Sequence, residues 1–385
     1  MTGRWRLTVR DTNNDRLIYE VFDGVMVCTG HNNKPSMPTY ENQHIFKGLL
    51  MHSHAFKDNT AFAGKRVVVV GIGGSGCDAT VELSNVCPIV HLSTRTGSWV
   101  THRVGHKGKP FDAVMVTRFF NTMFNVSPLR LANAAVEWYL NMRFDHKLYG
   151  LKPKHRFLSK QILVNEDLPK KIMTGSVVIK GDIQEFTEHG VIFTGEADET
   201  LCDAVVFATG YQLSYPFLSE SVISTQKSDF HLYKHIFPTT LTHPHTLAFI
   251  GIIVPTGAVL PIAELQSRYF ALVMANKCQM ATQKQMIRDI KRRKKWLKQH
   301  FPDWQKHALE VYYIKYMDEL AGLMGVKPNL CKYFVTDPKL WFHMYFGPYV
   351  PYQYRLTGPN SWPKAREAIL TVNERIKAPF KTRNK

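Results

Sequence analysis

The string Val67-Val68-Val69-Val70 runs directly into Gly71-Ile72-Gly73-Gly74-Ser75-Gly76, and a helix-forming stretch, CDATVELS, follows. A continuous apolar run of this kind suits a strand buried on both faces, as in a parallel sheet. Strand, glycine loop and helix in that order make up the dinucleotide fingerprint G-x-G-x-x-G. Gly71 permits the tight turn, Gly73 lets backbone approach a pyrophosphate, and Gly76 lets the helix pack on the strand. Free amides and the helix dipole then favour the anion at the helix start. Without a strand before it and a helix after it, the same glycine pattern would be only a flexible turn.

The next strand decides between nucleotides. NAD sites carry Asp or Glu roughly 20 residues after the loop. Here Pro88-Ile89-Val90-His91-Leu92 ends in Ser93-Thr94-Arg95-Thr96-Gly97, which holds an arginine and no acid. A carboxylate repels a 2′-phosphate, whereas a guanidinium grips one bidentately. The expectation is NADP(H), with Thr94 and Arg95 at the 2′-phosphate. The alternative for Arg95 is a solvated strand-end residue.

Just upstream, Phe46, Gly48, His52 and Phe56 form F-x-G-x-x-x-H-x-x-x-F. This resembles the identifying motif of flavin-containing monooxygenases. Phe207-Ala208-Thr209-Gly210-Tyr211 resembles the F-A-T-G-Y motif of that family, and Glu264-Leu265-Gln266-Ser267-Arg268 resembles its E-L-Q-x-R helix start. The stretch from Gly347 to Pro359, GPYVPYQYRLTGP, resembles a segment near the end of animal-type members. These matches run in one register from about residue 4 to the C-terminus. The end segment speaks against a Baeyer–Villiger-type oxygenase.

The resemblance implies an α/β, Rossmann-like flavoprotein with two dinucleotide-binding domains. It also implies a first G-x-G-x-x-G on an N-terminal strand, holding the ADP part of FAD, which this sequence does not contain. The chain instead opens on Arg4-Trp5-Arg6-Leu7-Thr8-Val9, a polar turn at residues 11–15 and a second strand near residues 17–21. It therefore reads as a member whose N-terminal FAD-binding βαβ segment is missing. Residues 1–62 are expected to be a remnant of the FAD domain, 63–204 the NADP-binding insertion, and 205–385 the completion of the FAD domain with a helical and aromatic end.

By the same resemblance, NADPH reduces FAD, and a C4a-hydroperoxyflavin made with O₂ oxygenates the nitrogen or sulfur of a lipophilic amine or sulfide. Gly71, Gly73, Gly74, Ser75, Gly76, Cys77 and Asp78 would cradle the pyrophosphate. Thr29-Gly30 and Thr209-Gly210 would let backbone come close to flavin or nicotinamide, and Gln266 would sit near the isoalloxazine edge. Asp78 has a second reading, as an acid favouring the helix dipole in the first turn. The competing reading of the whole chain is a non-catalytic NADPH-binding remnant unable to retain FAD. The resemblance implies the cytosolic face of the endoplasmic reticulum membrane and a part in xenobiotic metabolism; the residues read alone, with neither a secretory signal nor an apolar tail, imply a cytoplasmic protein.

At 385 residues and 44% hydrophobic content the chain has the length and composition for two or three buried cores. Its formal charge of +18 points to acidic partners. No nucleic-acid motif is visible. The run Lys291-Arg292-Arg293-Lys294-Lys295 reads as a membrane-surface patch or as the solvated face of a helix. None of the six cysteines has C-x-x-C or metal spacing, which argues against thiol–disulfide and metal chemistry. Residues 2–10 are polar and basic, unlike the apolar core of a secretory signal. Leu131, Val136, Trp138, Tyr139 and Leu140, at helical spacing, are expected to form one packing face. The aromatic stretch 341–354 reads as a lid, a substrate channel or core, with core the expectation.

Overall fold

A computed structural model describes residues 3–160, 162–223, 231–301, 304–305 and 307–382. The chain divides into two compact units that interleave along the sequence. One takes residues 31–111 and 127–214; the other takes residues up to 30, 112–126 and from 215 onward.

The first unit is built on a five-stranded sheet. Its strands are β1 (Leu49–His52), β2 (Arg66–Val70), β3 (Ile89–Ser93), β4 (Val177–Lys180) and β5 (Ala204–Phe207). The spatial order is β4-β3-β2-β5-β1, and every pairing is parallel. Helix α1 (Gly74–Leu83) follows β2. The valine run thus forms the central strand, with Val67, Val68 and Val69 fully buried, as a parallel sheet covered on both faces requires. On one side lie Leu83, Leu92 and Val206, and on the other Phe186, Phe193 and Phe207.

The chain leaves β2 towards β3 and β4, then returns to place β5 on the opposite side of β2. That reversal makes the carboxyl ends of β2 and β5 a topological switch point, the usual crevice for ligands in open α/β sheets. Register keeps these ends level. Val70 pairs with Ser93 and with Phe207, and Phe207 pairs with His52.

At the other end of the sheet one ion pair sets the start of two strands. Asp203 accepts hydrogen bonds from the backbone N–H of Arg66 at 2.7 Å and from its guanidinium at 2.8 and 3.2 Å. These contacts lower the Asp203 carboxyl pKa to about 2.

The second unit opens on an exposed antiparallel hairpin, Trp5–Asp11 with Arg16–Phe22. Strand Val25–Val27 then pairs in parallel with Leu247–Phe249, whose three residues are fully buried. Helices Val259–Met274 and Tyr313–Leu323 enclose its core. Tyr349 and Tyr354 join that core, whereas Phe342 and Phe346 are exposed, so the aromatic end is core only in part.

Helix Leu129–Asn141, in the first unit, departs from its expected packing face. Val136 and Leu140 are buried, but Leu131 and Trp138 are 65% and 67% exposed, and Tyr139 is exposed too. Residues four apart share a helix face. The buried stripe is Ala132, Val136 and Leu140, and Leu131 and Trp138, seven apart, share a different face.

The sign of the Asp203 shift gives a pH test. A depressed carboxyl pKa stabilises the fold above the unfolded value of 3.8 and loses that contribution as pH falls towards about 2. Because the pair is more than a third exposed, screening reduces its worth to about 1 kcal/mol. Asp203→Asn is expected to lower urea stability at neutral pH by that amount and to flatten the acid loss below about pH 4. Identical acid profiles for variant and wild type would rule the role out.

Candidate functional site

The glycine loop is shaped by what cannot fit there. A Cβ on Gly76 would lie 1.9 Å from the carbonyl oxygen of Gly71 and 3.2 Å from the Ala208 methyl. A Cβ on Gly71, whose φ is +109°, would lie 2.6 Å from the Ala208 carbonyl oxygen. Helix α1 can therefore start hard against the β2–β5 crevice only with glycine at both positions. Gly73 and Gly74 differ: a Cβ on either meets nothing within 4 Å. Their backbone faces open space at the helix start, where a bound group can approach. Gly73 caps α1 with extended backbone, and its side of the helix leaves the first-turn amides without intrahelical acceptors.

Cys77 and Asp78 are turned to other work. Cys77 is fully buried, its N–H bonds the Gly73 carbonyl at 2.9 Å, and burial pushes its thiol pKa up to about 12. Asp78 accepts a 3.1 Å hydrogen bond from the Asn165 amide, and Asn165 in turn accepts from the N–H groups of Asp167 and Leu168. Asp78 thus ties α1 to the start of helix Leu168–Met173. Asn165 lies 87 residues away, and no local pattern announces it.

At the end of β3, the Thr94 hydroxyl accepts the Gly97 N–H at 3.1 Å and closes a turn. Among the described residues its own proton has no acceptor. Arg95 is 72% exposed, and its nearest carboxylate is Asp182, at 3.9 Å. At the end of β5, the Thr209 hydroxyl donates to the Ser36 carbonyl at 2.6 Å. Gly210 has φ +81° and open space where a Cβ would be.

His52, at the end of β1, holds that turn. Its Nε2 lies 3.0 Å from the Gly210 carbonyl, and its Nδ1 accepts the His54 N–H at 3.0 Å. Burial lowers its pKa. Both contacts are satisfied together by a neutral imidazole with the proton on Nε2. The rest of the F-x-G-x-x-x-H-x-x-x-F string is packing. A Cβ on Gly48 would clash with the Phe46 ring and the Asp203 carbonyl, and Phe56 packs on Phe62 with ring centres 5.7 Å apart. In this structure the string seats β1 beside β5.

One sheet end therefore carries Gly71 to Asp78, Thr94, Arg95, Thr209 and Gly210. Thr29, Gly30 and Gln266 belong to the other unit. Gly30, at φ +72°, also faces open space, and its carbonyl accepts from the Tyr215 hydroxyl at 3.3 Å. Gln266 is fully buried with both ends of its amide engaged: Oε1 accepts the Gly251 N–H at 2.8 Å, and Nε2 donates to the Tyr316 hydroxyl at 2.9 Å. Among the described residues no cluster of His, Cys, Asp or Glu is arranged to hold a metal ion.

The profile of the family described as "Flavin-binding monooxygenase-like" matches residues 1–385. The chain belongs to that family. It is 43% identical to flavin-containing monooxygenase 5 of Cavia porcellus over 384 residues, covering 99% of this chain and 71% of that protein. It is 39% identical to flavin-containing monooxygenase 2 of Homo sapiens, with the same coverage. Among solved structures, S-allyl-L-cysteine S-oxygenase from Allium sativum superposes with a TM-score of 0.57 at 20% identity, covering 84% of this chain and 58% of that one. The cyclohexanone monooxygenase of Rhodococcus sp. Phi1, solved with NADP+, gives 0.57 at 14% identity over 84% of this chain and 78% of its own. These two likenesses concern the fold, and they agree with the mixed α/β, flavin-monooxygenase architecture expected from the sequence.

The glycines separate in a mutational test. Gly76→Ala forces the helix start off the strand and is expected to cost about 1–3 kcal/mol of stability, the usual range for overpacking. Gly73→Ala adds a methyl to open space and is expected to leave thermal unfolding within about 0.5 kcal/mol of wild type. Equal losses in urea unfolding would contradict the packing described for the loop.

Proposed function

We propose that this chain is an NADPH- and FAD-dependent monooxygenase that oxygenates soft nitrogen or sulfur nucleophiles of lipophilic small molecules. The observation that carries the reading is the β2–loop–α1 unit at the switch point, with glycine obligatory at residues 71 and 76 and open space over residues 73 and 74. Family membership and the name of a relative, "Dimethylaniline monooxygenase [N-oxide-forming] 2" of Macaca mulatta, support the reaction class.

In this reading the amides of Gly74, Ser75 and Gly76 hold the nucleotide pyrophosphate. Thr94 donates its hydroxyl proton, and Arg95 swings from its long contact with Asp182 to pair with the 2′-phosphate. The backbone at Gly30 and Gly210 takes the close approaches that a side chain would block. When bound, the flavin and nicotinamide supply the redox and oxygen chemistry, and the protein supplies binding, orientation and exclusion of water. No nucleophilic or acid–base set of side chains is required for that division of labour. His52, neutral and bonded at both nitrogens, positions the Gly210 turn. We assign the protein to the cytosolic face of the endoplasmic reticulum membrane on its family resemblance; among the described residues no helix is long and apolar enough to cross a membrane.

Arg95→Ala is expected to weaken NADPH binding at least tenfold, in line with about 1.5–3 kcal/mol for hydrogen bonds to a charged group, while NADH binding changes less than about twofold. Equal losses for the two nucleotides would remove the 2′-phosphate role. The reaction itself is tested by incubating the chain with FAD, removing free cofactor and recording the absorbance. Retained flavin bands near roughly 370 and 450 nm, with NADPH-dependent N-oxide formation from N,N-dimethylaniline, are the expected result. A folded, colourless protein that binds NADPH would replace this reading with a non-catalytic nucleotide-binding one.

A further inference from the structure

NAD sites place an acid at the end of the strand after the glycine loop. This chain has none at the end of β3, but the neighbouring strand supplies one. β3 and β4 run parallel with Ser93 opposite Lys180, so the residues that follow the two strands emerge side by side. The Thr94 N–H donates to the Lys180 carbonyl at 3.0 Å, and the Ser93 hydroxyl donates to the Gly181 carbonyl at 2.8 Å. Asp182 is the next residue, and one of its carboxylate oxygens lies 3.9 Å from Arg95 Nε. A carboxylate therefore stands at the Thr94–Gly97 turn after all, brought there from a distant segment.

Asp182 and Arg95 differ in freedom. The Asp182 carboxylate accepts the Ile183 N–H at 3.1 Å, and its backbone carbonyl accepts the Thr194 N–H at 2.8 Å. Its side chain is 33% exposed, against 72% for Arg95. Beside it stands Tyr40, whose ring lies against Phe186 and Phe207. Burial and then the Asp182 charge raise the Tyr40 pKa, so this neighbour stays a neutral phenol. Lys160 adds a cation at the turn, donating to the Thr96 hydroxyl at 3.2 Å, while the Lys180 ammonium is committed to Glu196 at 2.6 Å. The Arg95–Asp182 contact is long and exposed, the kind of pair worth little. The arginine can swing away from it. The acid, anchored through main chain and side chain, stays.

A nucleotide seated as proposed above meets both groups. Arg95 attracts a 2′-phosphate and Asp182 repels it. The 2′-hydroxyl of NADH carries no charge, and a carboxylate accepts its proton in a hydrogen bond, the role that the strand-end acid has in NAD sites. Specificity is a difference of two affinities, and a repulsive group shapes it as much as an attractive one.

We infer that Asp182 is a specificity-determining residue of the nucleotide site, one that opposes the 2′-phosphate and accepts the 2′-hydroxyl. Arg95 and Asp182 then pull in opposite directions, and the chain discriminates between NADPH and NADH less than Arg95 alone would make it. This rests on the nucleotide reading of the β2–loop–α1 unit.

Isothermal titration of the full chain with NADPH and with NADH tests this, on wild type, Asp182→Asn and Arg95→Ala. Asp182→Asn keeps the shape and an acceptor for the Ile183 N–H while removing the charge. It is expected to tighten NADPH binding and to raise the NADPH-to-NADH affinity ratio at least threefold, within the range of about 0.2–1 kcal/mol for one partly exposed charge. A merely loosened site would weaken both nucleotides and could not tighten NADPH. Asp182→Ser decides the matter by the same ratio if Asp182→Asn does not fold. The inference alone is overturned if the ratio is unchanged or falls in these variants while Arg95→Ala still weakens NADPH. A folded wild type that binds neither nucleotide overturns the inference together with the reading beneath it.

Discussion

A carbonyl oxygen 1.9 Å from where a Gly76 side chain would begin is the constraint on which the carboxyl end of the first unit's sheet depends. Helix α1 touches the β2–β5 crevice through bare backbone. That approach brings its first amides to the carboxyl ends of the strands and directs its dipole at the open space above Gly73 and Gly74. The Ala208 methyl on the adjacent β5 turn completes the contact, so the small residues in two distant segments are one packing requirement. The His52–Gly210 bond and the Arg66–Asp203 pair then hold the two ends of the same strands level.

Positive charge is used in two ways. Arg95 is exposed at a strand end, loosely held by Asp182 and free to exchange that contact for another anion. Arg293 and Lys234 lie within the second unit, where desolvation makes each depend on what surrounds it. Lys234 bonds two carboxylates directly; Arg293 bonds two backbone carbonyls and feels Asp289, Glu319 and Glu310 only at longer range. The excess of basic residues in the composition is therefore not one electrostatic feature, and its meaning changes from residue to residue with burial.

Much of the strand–loop–helix unit was readable from residues 66–97 and 204–211, because a buried parallel strand, a glycine turn and a helix start each leave a short-range signature. Other readings did not survive contact with neighbours. Helix Leu129–Asn141 had one apolar face by spacing, yet it buries Ala132 rather than Leu131 or Trp138, because the surface it meets lies on a different side of the helix. Gln266 is a separate case: its motif is legible in the sequence, and the fold adds that its amide accepts from the Gly251 N–H and donates to the Tyr316 hydroxyl. Lys291 to Lys295 looked like a single basic stripe, and only packing turned Arg293 inward.

The sequence by itself determined the class of the chain, the strand–loop–helix unit, the absence of an acid at the end of β3 and the placement of arginine there. These are local matters of steric allowance and charge along a few consecutive residues. Tertiary structure alone decided that Asn165 would hold Asp78, that His52 would stay neutral against Gly210, and that His235 would be buried with neither nitrogen paired. Each of those outcomes depends on groups far apart in the chain, whose desolvation and hydrogen bonding exist only once the backbone has brought them together.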